Sequence, residues 1–111
     1  MPQDMAFDFV LDAGASSVEA QNMIYDECQK LKSDPSNTQR REEILRMCRL
    51  AANKHEDEDM AASVMETYLE LDRLDLIPDV VRPFKRHVSH RMMQILSSAV
   101  TERGFDQLRN R

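Results

Sequence analysis

The chain has 111 residues, 41% of them apolar, a formal charge of −5, two glycines, four prolines, two cysteines and no tryptophan. This is one domain's worth of chain with a modest core. The shortage of turn-formers and of β-branched runs excludes a sheet protein and leaves an all-α fold. Two cysteines do not build a disulfide framework, and no apolar run reaches the ~20 residues of a membrane span.

Residues 1–15 are read as a short acidic-hydrophobic N-terminal arm. Phe7, Phe9 and Leu11 alternate as in a strand, whereas Phe7, Val10 and Leu11 fit one helical turn, and Gly14 ends the segment in either phase. An extended segment of this kind can lie in another protein's groove, so Phe7, Phe9 and Leu11 form a candidate docking motif. The other reading folds the arm back onto the helices. A basic n-region and a continuous apolar h-region are both missing, so no secretory leader is expected.

Four main helices follow, at about 17–33, 37–54, 57–75 and 83–103, forming a small helical bundle within a single domain over 16–105. Ser16 and Glu19 have capping-box spacing at the start of the first. Its inner stripe is Ala20, Ile24, Cys28 and Leu31, with Tyr25 beside it. Asp34–Pro35 breaks it, because a residue before proline is pushed out of helical geometry. Ser36 and Gln39 repeat the capping-box spacing for the second helix, whose inner face is Ile44, Leu45, Met47, Cys48, Ala51 and Ala52, with Arg46 and Arg49 outward. Both cysteines fall on inner faces and read as buried thiols of a reducing compartment, cytoplasmic or nuclear.

Glu56–Asp57–Glu58–Asp59 opens the third helix, where acidic groups favour the positive end of the helix dipole. The run lacks the glycine and the terminal glutamate of a calcium loop. Met60, Val64, Tyr68 and Leu71, with Ala61, Met65 and Leu69, make this helix apolar over more than half its circumference. The last helix is framed by Pro83 at its first turn and Gly104 past its end. Its apolar arc is Phe84, Val88, Met92, Met93, Ile95, Leu96, Ala99 and Val100, and its other face carries Arg86, His87, His90 and Arg91. Residues 106–111 form a polar tail.

The charge is split. Residues 1–77 carry 17 acidic and 8 basic side chains, a net of −9, and residues 78–111 carry 3 and 7, a net of +4. A basic face on the last helix is therefore expected.

No catalytic constellation is present: two glycines leave no phosphate-cradling loop or nucleophile elbow, and His87 and His90 have no thiol or carboxylate near in sequence to complete a metal shell. No cofactor, metal, membrane or small-molecule substrate is expected, and the chain reads as non-enzymatic. The expected role is a protein–protein interaction module, an adaptor or assembly subunit. It would dock a partner protein, or its own copy as a homodimer, on the last two helices. Met65, Leu69, Met93 and Val100 would supply contact area; Lys85, Arg86 and Arg91 would set orientation. The alternative is a nucleic-acid-associated protein using the basic last helix, against which stand the acidic whole and the lack of aromatic stacking groups among the basic residues.

The corner Leu69–Glu70–Leu71–Asp72–Arg73–Leu74–Asp75, with Pro78, Val81–Arg82, Lys85–Arg86 and Val88, resembles the second-to-third helix junction of BAG domains. Those three-helix modules bind the ATPase domain of a heat-shock chaperone and promote nucleotide exchange. The resemblance implies a BAG-like chaperone-regulating role, with Asp72 or Asp75 and Lys85 and Arg86 at the contact.

Overall fold

The structure is a computed structural model that describes residues 3–84 and 88–103, with the side chains of 6–84, 88–99 and 101. Among the described residues it is all-helical, without strands. The order is α1 (Gln3–Asp12), α2 (Ser17–Ser33), α3 (Thr38–Lys54), α4 (Glu58–Glu70), α5 (Ile77–Val81) and α6 (His90–Arg103), with 3-10 turns at Leu74–Leu76 and Arg82–Phe84. By internal packing the chain divides into two compact units, Met1–His55 and Glu56–Arg111.

In the first unit, α3 packs against both α1 and α2. The arm is a helix, and the helical phase of its apolar residues prevails: Phe7 is 1% exposed and Leu11 is buried, while Phe9 stands 64% exposed on the other side. Gly14, at φ 99°, ends α1. The Ala15 N–H donates to the Val10 carbonyl and the Gly14 N–H to the Leu11 carbonyl, closing a Schellman cap that requires the left-handed residue.

α2 starts with the expected capping box, the Ser16 N–H donating to Glu19 Oε1 at 3.2 Å and the Glu19 N–H to Ser16 Oγ at 3.1 Å. Ala20, Ile24, Cys28 and Leu31 are its buried stripe. The start of α3 differs from expectation. Asn37, not Ser36, is the cap, its Oδ1 accepting the Arg40 N–H, and the Asn37 Nδ2 donates back to Asp34 Oδ2. A side-chain amide can do both at once; a serine hydroxyl at position 36 is one residue too early for the helix that forms. Ile44, Leu45, Met47, Cys48 and Ala51 are buried, and both cysteines are buried thiols.

His55 closes the unit. Its N–H caps α3 at the Ala51 carbonyl, and its ring Nε2 lies 3.0 Å from the Ala15 carbonyl. A carbonyl only accepts, so Nε2 carries the proton in this contact.

In the second unit, α4 packs against α5 and α6. Asp57 caps it, accepting the Met60 N–H at 2.7 Å, with Glu58 and Asp59 in the first turn. The acidic run is thus a helix start, as its composition predicts. Met60, Ala61, Ala62, Val64, Met65, Thr67 and Tyr68 are buried, and the Thr67 hydroxyl is satisfied by the Ser63 carbonyl.

α4 ends at Glu70, five residues short of the expected Asp75. The cause is a second Schellman cap: the Arg73 N–H donates to the Tyr68 carbonyl at 2.8 Å, the Asp72 N–H to the Leu69 carbonyl at 3.2 Å, and Asp72 sits at φ 59°. Aspartate tolerates the left-handed region better than most residues. The chain then turns through Leu74–Leu76 and α5, burying Leu74, Ile77 and Val80.

The last helix also starts later than expected. Pro83 lies in the 3-10 turn Arg82–Phe84, and α6 begins at His90. Ser89 caps it: Ser89 Oγ accepts the Met92 N–H at 3.2 Å and the Ser89 carbonyl accepts the Met93 N–H. Met92, Ile95 and Ala99 form its buried stripe.

Candidate interaction surface

No group of three or more histidine, cysteine, aspartate or glutamate side chains that could hold a metal occurs among the described residues. None of the described helices is long and apolar enough to cross a membrane. His87 lies outside the described residues, and His90 is exposed at the start of α6. Cys28 and Cys48 are buried away from solvent and from any nucleophile's work.

The residues expected to form one partner surface are not brought together. Met65 is fully buried and belongs to the core, because α4 is covered over more than half its circumference. Leu69 is half-buried, and Met93 is 52% exposed. Lys85 and Arg86, and the side chain of Val100, lie outside the described residues. Arg91 is a surface residue paired with Glu66 of α4, Nη2 to Oε1 3.1 Å. Arg91 and Met93 are two residues apart on one helix, about 160° around its axis. They therefore stand at opposite edges of the outward face of α6, and only a partner that spans that face touches both.

Of the expected basic strip, Arg86 and His87 lie outside the described residues, and His90 and Arg91 stand exposed in the first turn of α6. The outward face of α6 holds His90, Met93, Gln94, Ser97, Ser98 and Thr101, all exposed, with Arg91 at its edge. Met92, Ile95 and Ala99 fill the core side, so Met93 is surplus to packing. Half-buried Leu96 lies between Met92 and Met93 around the helix.

The proposed docking motif of the arm is likewise divided. Phe7 and Leu11 anchor α1, leaving Phe9 alone on the surface. Arg46, expected to point outward, instead ties α1 to α3. Its Nη1 meets Asp8 Oδ1 at 2.6 Å and its Nη2 meets Glu43 Oε1 at 2.6 Å. The Glu43 hydrogen bond raises the Arg46 guanidinium above its ordinary value, partial burial opposes this, and Asp8 adds to the rise.

Three features went unseen in the sequence. A half-open cavity of about 250 Å³ lies among α1, α2 and α3, floored by Phe7, Met23 and Met47 and rimmed by Asp26, Glu27, Lys30 and Glu43. On the rim Glu27 is bound by Lys30 at 3.0 Å and by Arg40 at 2.6 Å, and Glu43 is bound by Arg46. Val18 is 64% exposed, and Tyr25, expected beside the inner stripe of α2, is instead 63% exposed. Their seven-residue spacing opposite the inner stripe of α2 is the signal that could have found them. At the corner that resembles a BAG junction, Asp75 is engaged by Arg73 through two contacts of 3.0 Å, and the chain passes through a 3-10 turn and α5 before α6.

No family model matches this chain, and no curated protein or solved structure matches it either.

Proposed function

We propose that the chain is a non-enzymatic protein-interaction module built on its four longer helices, with the outward face of α6 as its docking surface. The observation that carries this reading is the outward face of α6, where His90 is the one ionisable side chain among the described positions between Met93 and Arg91, with Met93 half exposed at its edge. Interface centres are depleted of charge and enriched in methionine and aromatic groups, and a methionine can reshape itself to its partner. Arg91, held by Glu66, flanks the face and sets orientation, while half-buried Leu69 and Leu96 extend the apolar area. Of the earlier contact set, Met65 drops out.

The test compares proteins captured by the wild-type chain with those captured by Met93→Glu and Arg91→Glu, after circular dichroism has shown all three folded. A partner held by the wild type, lost with Met93→Glu and weakened with Arg91→Glu supports the reading. Identical capture by all three sinks it. Fluorescence anisotropy with labelled RNA and DNA at low and moderate salt covers the nucleic-acid alternative. Binding that falls steeply with salt would replace the protein reading with that one.

A further inference from the structure

The bend between α1 and α2 is held by groups that a continuous helix would pair differently. Residues 3–33 contain no proline, and only residues 13–16 separate the two helices, with Gly14 at φ 99° turning the chain. The Glu19 N–H, which an unbroken helix aims at the Ala15 carbonyl, donates to Ser16 Oγ, and the Ala15 carbonyl instead accepts from His55 Nε2 at 3.0 Å. The Ser16 N–H, due to the Asp12 carbonyl, donates to Glu19 Oε1. The Gly14 and Ala15 N–H groups donate to the Leu11 and Val10 carbonyls and would merely exchange these acceptors. Straightening the bend therefore leaves none of these backbone groups unmet. Ala13 and Ala15 are the best of helix formers, and a side chain at position 14 meets no atom within 4 Å.

Straightening also takes α1 off its own seat. The His55–Ala15 contact sets the end of α3 level with the start of α2, whereas Asp8 meets Arg46, about 14 Å further back along α3. α1 is thus folded back on α3. Continued along the axis of α2 instead, its ten residues run about 15 Å past the end of α3, and the seat of Phe7 beside Met23 and Met47 is vacated. We propose that this seat is exchanged between copies: α1 of a second copy occupies it, with Phe7 and Leu11 buried and Asp8 on Arg46, and gives up its own seat in return. The single chain already shows the fit, because α1 is the cover of this groove and a second copy brings the same ten residues. Two features loosen α1 within its own chain. A half-open cavity of about 250 Å³ lies against Phe7, and ten residues are too few to hold a helix alone. A short hinge such as residues 13–16 favours exchange over a flexible return.

The exchange involves the first unit alone and stands or falls separately from the docking surface on α6. Sedimentation velocity on the full chain should show a monomer at micromolar concentration and a dimer towards millimolar. Gly14→Ala should strengthen that dimer at least about a hundredfold, about tenfold at each of its two hinges, because alanine disfavours the left-handed bend and favours the helix. Met93→Glu should leave it unchanged. Reversing the ion pair separates exchange from any other pairing. Asp8→Arg and Arg46→Asp each set like charges between α1 and α3, both within one chain and in an exchanged dimer of that chain with itself. An exchanged pair of the two different variants has opposite charges in both seats, and no other arrangement of them does. Once circular dichroism has shown both variants helical, their equal mixture should dimerise at concentrations where each alone is a monomer. A Gly14→Ala chain no more dimeric than the wild type, or a mixture no more dimeric than its components, overturns the proposal.

Discussion

Changing Phe7 to Ala tests the helical phase of the first fifteen residues directly, with Phe9→Ala as its partner. Phe7 is 1% exposed and Phe9 is 64% exposed, two positions apart on the same helix. Truncating a buried phenylalanine costs about 3–5 kcal/mol, part from lost transfer and part from the cavity left behind. The vacated space here adjoins the half-open cavity lined by Met23 and Met47, so water can enter and the cost falls at about 3 kcal/mol. Ten residues are too few to hold a helix alone. Among the described side chains of α1, Leu11 is then the one buried anchor left, and α1 should release from α3 before the rest unfolds. Phe9→Ala should change stability by under about 0.5 kcal/mol. Urea unfolding gives the free energies, and native-state hydrogen exchange at residues 7–13 reports whether α1 opens first. A loss below about 1 kcal/mol for Phe7→Ala, or equal losses for the two variants, would refute the assignment of Phe7 to the core.

Four further outcomes are expected. Asp72→Gly relieves the left-handed strain at φ 59° and should stabilise by about 0.5 kcal/mol, raising the thermal midpoint by about 2–4 °C; Asp72→Val should lower it. Gly14→Ala meets no atom within 4 Å of the new Cβ, yet should cost about 1 kcal/mol in urea unfolding, because φ 99° is strained for any side chain. Ser16→Ala removes one half of the capping box and should cost about 1 kcal/mol, with amide exchange rising first at the start of α2. Cys28 and Cys48 should resist a thiol reagent in the native chain and react together on denaturation; immediate reaction of either would contradict its burial.

Most of the helix positions were legible because local signals coincide with apolar period. The Ser16–Glu19 box, the Asp34–Pro35 break and the acidic start at Asp57 all lie where composition places them. Two ends were not. The Schellman cap at Asp72 is made by a residue that composition does not mark as a helix stop, and α4 ends there. Pro83 looked like a helix start but was outweighed by Ser89, whose hydroxyl satisfies the Met92 N–H. The surface was less legible than the fold. An apolar arc says that a helix is covered, and α4 uses its arc for core, Met65 included, with Leu69 half-buried at the margin. Periodicity alone could not separate Met92 from Met93, since neighbours on a wide arc look alike until the packing side is known.

The contact between His55 and the Ala15 carbonyl bears on how the chain is made. It joins residues 40 positions apart, and His55 is the last residue of the first unit. On the ribosome, that unit has every residue of its own interior once position 55 has cleared the exit, before α4 to α6 have emerged. Its closing hydrogen bond is then the final one translation supplies. Segments complete in themselves fold in the order they emerge, and nascent chains stalled far enough downstream for His55 to have left the tunnel should already hold Phe7 and Ile44 inside, whereas chains stalled with α3 still in the tunnel should not.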